Sequence, residues 1–202
     1  MERIRTKMQE FNRRLHPYCK ERQSAMQDFK LENLITNQDC KDFGNSVVAK
    51  KILWNLNEVN HTTQDQYSTE QAIECRNYLM FMLCITNALR ASNLINITLA
   101  DVANAKHDEE FNAMVISSPK YKTSMLYGKK MIVCSEPLFK QLTKYMFYLR
   151  PKLAHESDSS IRQDERALFL SANCGEKMSH STISNGMTQL LNSVPELKTR
   201  AK

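Results

Sequence analysis

Apolar positions along this chain recur mostly at alternating intervals of three and four residues, the period of one face of a helix. Ile4, Met8, Phe11, Leu15 and Tyr18 follow that spacing and predict a helix over residues 2–16 that Pro17 ends or kinks. A second helix is predicted over 39–57, with Phe43, Val47, Val48, Ile52, Leu53 and Leu56 on its apolar side and Trp54 as a large anchor. Residues 57–68 are polar and aperiodic and read as a linker or domain boundary. Ser68 and Gln71 have capping-box spacing and open a helix that runs to about Leu89. Every residue from Tyr78 to Ile85 is apolar, so this helix is expected to be buried all round, at the centre of a domain. Ser92 is placed to cap a short following helix, with Arg90 at the corner between the two.

The period then changes. Phe111–Ser118 and Lys129–Cys134 are predicted strands, joined by a long basic tip, Pro119 to Gly128. Ser135-Glu136-Pro137 is a helix start, and Leu138, Leu142, Tyr145, Met146 and Leu149 form the stripe of a helix that stops at Arg150-Pro151. Residues 154–165 read as a polar surface loop, Ala167–Ser171 as a short strand, and Ser179 as the cap of a last helix with Ile183, Met187, Leu190 and Leu191 inward. The expected fold class is mainly α with a small antiparallel β-hairpin or sheet, an α+β arrangement. No internal repeat is visible.

Composition narrows the chemistry. Apolar residues make up 42% and charged residues 25% of the 202 residues, which excludes wholesale disorder. Glycine occurs only at 44, 128, 175 and 186, too sparsely for a Gly-rich phosphate cradle. Six cysteines and five histidines lack zinc spacing, so no metal site and no cofactor are expected, and the cysteines read as reduced, mostly buried thiols of an intracellular protein. No secretory leader is apparent, and the longest apolar run is far short of a membrane span. The net charge of +6 suits a polyanionic partner. Arg3, Arg5, Lys7, Arg13 and Arg14 lie off the N-terminal stripe, as a solvated face or a phosphate-contacting one. Lys120, Lys122, Lys129 and Lys130 stand in a stretch, 112–135, that contains no acid.

Arg90 and Lys122 are the candidate chemical groups. A guanidinium at the end of a buried helix is costly unless it is paired or serves a ligand. Its rigid fork fits two phosphate oxygens. The competing role is structural, capping carbonyls or pairing with an acid such as Asp101. A lysine on a protruding hairpin can enter a DNA groove and donate a proton to a leaving oxygen. It equally suits a soluble loop tip.

The order of these pieces is more specific than any one of them. A buried helix ends at Asn87-Ala88-Leu89-Arg90. A hairpin with Pro119-Lys120-Tyr121-Lys122-Thr123, a helix ending Leu149-Arg150-Pro151, Leu168-Phe169-Leu170-Ser171, and a helix opened by Met178-Ser179-His180 follow in turn. That order resembles the catalytic domain of the tyrosine recombinases, the phage-integrase-like DNA breaking and rejoining enzymes, and in particular their transposon-derived Crypton type. The resemblance covers roughly residues 65–195. It implies an integrase-like core in 61–202, incomplete at its C-terminal end, and a helical segment in 1–60 that belongs to a core-binding-like, DNA-clamping domain. It makes Arg90 the first catalytic arginine, holding the scissile phosphate, and Lys122 the hairpin lysine that assists the leaving 5′ hydroxyl. Asn93 stands where many members have Glu. The family's later His-x-x-Arg, its His or Trp and its tyrosine nucleophile have no counterpart in the 202 residues, so the chain is expected not to cleave DNA by itself. The implied role is double-stranded DNA binding in the nucleus, through Arg90, Lys120, Lys122, Lys129 and Lys130, with self-association weakened by the missing segment. The parent activity is recombination or integration through a 3′-phosphotyrosyl link, without metal. Two alternatives are a domesticated, non-catalytic helical scaffold for protein partners and an unrelated helical interaction domain.

Overall fold

The computed structural model describes residues 36–118, 130–154, 165–172 and 175–197. The expected N-terminal helix, the hairpin tip and most of the 154–165 loop lie outside them. The described chain is mostly helical with one small antiparallel sheet, an α+β fold.

The helix expected over 39–57 is two helices, α1 (Asn37–Asn45) and α2 (Val47–Glu58). Ser46 makes the break. Its Oγ donates to Phe43 O at 2.6 Å and accepts from Ala49 N at 3.1 Å, closing one helix and capping the next. Thr36 and Asp39 form a capping box ahead of α1. Phe43, Ile52 and Leu56 enter the core, but Trp54 does not: it is 62% exposed, on the same outward face as Val47, seven residues earlier and 83% exposed. The expectation that Trp54 anchors the helix fails because the buried face is centred on Ala49, Ile52 and Leu56.

Helix α3 (Thr69–Asn87) is the centre of the molecule. Gln71 N donates to Ser68 Oγ and Ser68 N to Gln71 Oε1, the reciprocal cap that the spacing predicts. Tyr78, Leu79, Met80, Phe81 and Leu83 are buried, and Phe43 packs edge-on against Phe81 with centroids 4.9 Å apart. Burial all round ends early: Met82 and Cys84 are half-buried and Ile85 is exposed. Each buried aliphatic side chain here contributes roughly 1.5–3 kcal/mol. The helix closes on Ala88 in the left-handed region (φ 48°), with Leu89 N donating to Cys84 O. Helices α4 (Ala91–Ile95) and α5 (Leu99–Ala103) follow, the second capped by Thr98 and Asp101.

The sheet has three strands in the order β1 (Lys106–Asp108), β2 (Ala113–Ser118), β3 (Lys130–Cys134). Strand β1 was not expected. Phe111, expected to begin β2, is 64% exposed in the turn before it, where Asn112 takes a positive φ. Val115 pairs with Val133 and Ser118 with Lys130, so the 119–129 connection leaves from the end of that ladder.

Helix α6 (Glu136–Lys144) continues into a π-helical turn, Tyr145–Leu149, in which Arg150 N donates to Tyr145 O five residues back, and then into a 3-10 turn, Arg150–Leu153. Lys144 Nζ donates to Asn57 O, tying α6 to the end of α2. The expected strand at 167–171 is not formed: the segment bends at Leu168 and Phe169 and is held by isolated bridges, Thr98 with Ala167 and Leu170 with Lys177. Ser179 caps α7 (His180–Asn192), whose Ile183, Leu190 and Leu191 are buried. At Gly186 α7 meets α3: a Cβ there would stand 2.8 Å from Asn77 Oδ1.

Candidate nucleic-acid interface

Arg90 occupies the position that caps α4. Its peptide N–H donates to Asn93 Oδ1 at 3.0 Å, and Asn93 N donates to Arg90 O at 2.8 Å. The cap of α4 is therefore Arg90, not Ser92, and Asn93 serves it through a neutral amide. The Arg90 side chain is exposed and makes no hydrogen bond or ion pair with any described residue. Its expected pairing with Asp101 does not occur: Asp101 Oδ2 accepts from Thr98 N at 2.9 Å. The helix ends at the left-handed Ala88, Leu89 packs into the core and Arg90 faces solvent, so the cost of a buried guanidinium does not arise here.

That cost is met at two other arginines. Arg76 and Arg150 are each 4% exposed. Arg76 Nη1 donates to Leu170 O at 2.6 Å, and its Nε and Nη2 donate to Asn77 Oδ1 at 3.1 and 2.9 Å. Arg150 Nε and Nη2 both donate to Ala167 O. Two guanidiniums thus clamp the 167–170 segment by its carbonyls, which satisfies donors that burial would otherwise leave exposed to a low dielectric. Burial pulls the Arg76 pKa below its ordinary value, and the nearby Tyr145 phenol opposes that shift. The sequence carried one signal for Arg76: it falls four residues after Ala72 and three before Leu79, on the buried stripe of α3.

The hairpin is tied to the Arg90 corner by Asn87. Val133 N donates to Asn87 Oδ1 at 2.7 Å, and Asn87 Nδ2 donates to Val133 O at 2.9 Å. Lys130 lies three residues along β3 from Val133, roughly 10 Å at strand rise. Lys120, Lys122 and Lys129 lie outside the described residues. At the other end of α4, Asn96 Oδ1 accepts from Lys177 Nζ at 2.9 Å. Exposed basic residues therefore stand at both ends of this short helix, whose caps Arg90 and Asn96 lie about 9 Å apart along its axis. Lys177 and Asn87 were not among the residues expected from the sequence. Each shows its role only through a partner remote in sequence.

Three of the described tyrosines are poorly placed to act as nucleophiles, while Tyr148 is half-buried. Tyr67, Tyr78 and Tyr145 are buried, and burial raises all three phenol pKa values, so each holds its proton. The Tyr145 hydroxyl is fully buried and has no hydrogen-bond partner among the described residues. Among the described residues no cluster of His, Cys, Asp and Glu could hold a metal ion, and no helix is long and apolar enough to cross a membrane.

The fold and this site together define an α+β domain whose solvent-facing arginine corner is fastened to the strand of a basic hairpin. No family model, curated protein or solved structure matches the chain.

Proposed function

We propose that the chain is a double-stranded DNA-binding domain of tyrosine-recombinase descent that acts in the nucleus without a cofactor and does not itself cleave DNA. The observation that carries this reading is Arg90: a solvent-facing guanidinium with no partner among the described residues, fixed by the Asn93 cap and fastened through Asn87 to β3. A guanidinium so placed is available to two oxygens of a phosphate. Lys177 beyond α4, and Lys120, Lys122, Lys129 and Lys130 in and beside the hairpin connection, supply charge of the same sign. Contacts of this kind position a duplex without reading its bases. Lys122 has the role of reaching into a groove beside the phosphate that Arg90 holds, the place the resemblance gives it. The burial of Tyr67, Tyr78 and Tyr145, three of the seven tyrosines, supports binding without cleavage at those positions.

Duplex affinity measured against salt tests the reading. Replacing Lys120, Lys122, Lys129 and Lys130 together by Ala should reduce the slope of log affinity against log salt by about three to four. An unchanged slope removes the hairpin from the interface.

A second reading, a helical scaffold for protein partners, is favoured by Val47 and Trp54, which face solvent together on α2. Trp54 is the sole tryptophan, so its fluorescence reports on that face directly. A duplex that binds at Arg90 leaves the emission of Trp54 unchanged, whereas a partner seated on α2 shifts it.

A further inference from the structure

Strand β3 is the outer strand of the sheet, and Val133 turns its N–H and C=O away from β2. The Asn87 carboxamide meets both groups in the geometry of a neighbouring strand, donor to acceptor and acceptor to donor. One side chain thus does the work of a fourth strand for one residue of the edge. Asn87 is also the last residue of α3, one position before the left-handed turn at Ala88 and three before Arg90. Its Nδ2 lies 3.3 Å from Leu83 O and 3.0 Å from Thr86 Oγ1 as well, so the amide is oriented from the helix side before it reaches the strand. Within α3 and the β3 ladder, this is the direct polar link between the element that presents Arg90 and the strand that leads into the basic hairpin. An alanine there leaves two backbone groups of Val133 without their partner among the described residues and lets the corner and β3 move separately.

We infer that Asn87 is a positioning residue for DNA binding, which holds Arg90 and strand β3 in one frame against a duplex. The inference rests on the DNA-binding reading above. It adds a residue that touches no phosphate and whose loss should be felt through the geometry of those that do.

Two measurements on the whole chain separate the inference from the reading beneath it. Amide hydrogen exchange at Val133 reads the link without DNA. Asn87→Ala should speed it by about five- to a hundred-and-fiftyfold, the loss of two ordinary hydrogen bonds. Asn87→Asp, which keeps an acceptor for Val133 N–H but has no donor for Val133 O, should fall between Asn87→Ala and the unaltered chain and guards against a misfolded alanine variant. Duplex affinity then reads coupling. In the unaltered chain the losses caused by Arg90→Ala and Lys130→Ala should be non-additive, and in the Asn87→Ala background they should become additive, with the salt slope unchanged because no phosphate contact is removed. Faster exchange at Val133 with unaltered affinity and coupling would make Asn87 a structural tie only and overturn the inference. Exchange that does not change would overturn it at its base. Failure of the unaltered chain to bind duplex, with exchange responding to Asn87→Ala as expected, overturns the DNA reading and this inference with it.

Discussion

At the scale of single residues, the telling positions are those where a side chain serves two elements at once. Asn77 accepts two hydrogen bonds from the buried Arg76 while its Oδ1 fills the space beside Gly186 on α7. Glycine is scarce in this chain, about 2% against roughly 7% on average, and the one at 186 is required by a close approach. Gly186→Ala would drive a methyl to 2.8 Å from the oxygen that orients Arg76, and the network leaves Asn77 little room to yield. The expected cost is about 1–3 kcal/mol, read as a lower urea midpoint at unchanged m value. Ser46 is a second such residue, since one hydroxyl closes α1 and opens α2. Ser46→Ala should cost about 0.5–2 kcal/mol in the same assay, and a cost near zero would mean that the two helices do not depend on that cap.

At the scale of elements, the parts of the fold most legible in the sequence were those whose signals are local. The Ser68 and Gln71 box, the Ser179 cap, the apolar run of α3 and the apolar centres of β2 and β3 each depend on residues within one turn or one strand, and the structure has a helix or strand at each. The misses share a cause. The break at Ser46 is small against an apolar stripe that runs straight across it. Strand β1, three residues long and mostly exposed, has no alternation to detect and exists because β2 offers it an edge. The 167–170 segment, bent at Leu168 and Phe169, is held because arginines from two other elements grip its carbonyls, a relation invisible in Ala-Leu-Phe-Leu itself. For the candidate site, Arg90 was legible from its place after a buried helix, although the reason offered, a guanidinium needing rescue from burial, belongs to Arg76 and Arg150 instead. Asn87 and Lys177 were not legible, because Val133 and Asn96 lie 46 and 81 residues away from them.

At the scale of the whole molecule, the core carries acidic groups that burial keeps protonated. The Cys75 thiol is pushed up to about 12, and those of Cys84 and Cys134 to about 11, from an ordinary value of 9.0. Below pH 9 these groups are neutral in both folded and unfolded chains and cost nothing. Above it the unfolded chain loses their protons while the folded chain keeps them, so folding stability falls as pH rises from about 9 towards 11 and 12. Cys75 alone should contribute a slope of up to about 1.4 kcal/mol per pH unit across that window, and Cys75→Ala should reduce the slope measured by urea unfolding at pH 8, 10 and 11. Stability that is flat over that range would mean that the thiols reach solvent. On the functional side, a duplex carrying a 5′-phosphorothiolate leaving group should give no covalent adduct with this chain, and a trapped adduct in a denaturing gel would show a working tyrosine nucleophile. The π-helical turn at Tyr145–Leu149 bears on the molecule as a whole through simple angular counting. Each residue of an α-helix advances the direction of its side chain by about 100°, and a turn closed over five residues holds one residue more than an α-turn. That extra residue sets the compass bearing of Arg150, which faces the Ala167 carbonyl and not the solvent. A chain one residue shorter between 144 and 150 could keep its charge and its helical character and still lose the grip on 167–170, because its arginine would look out along a different meridian of the same helix.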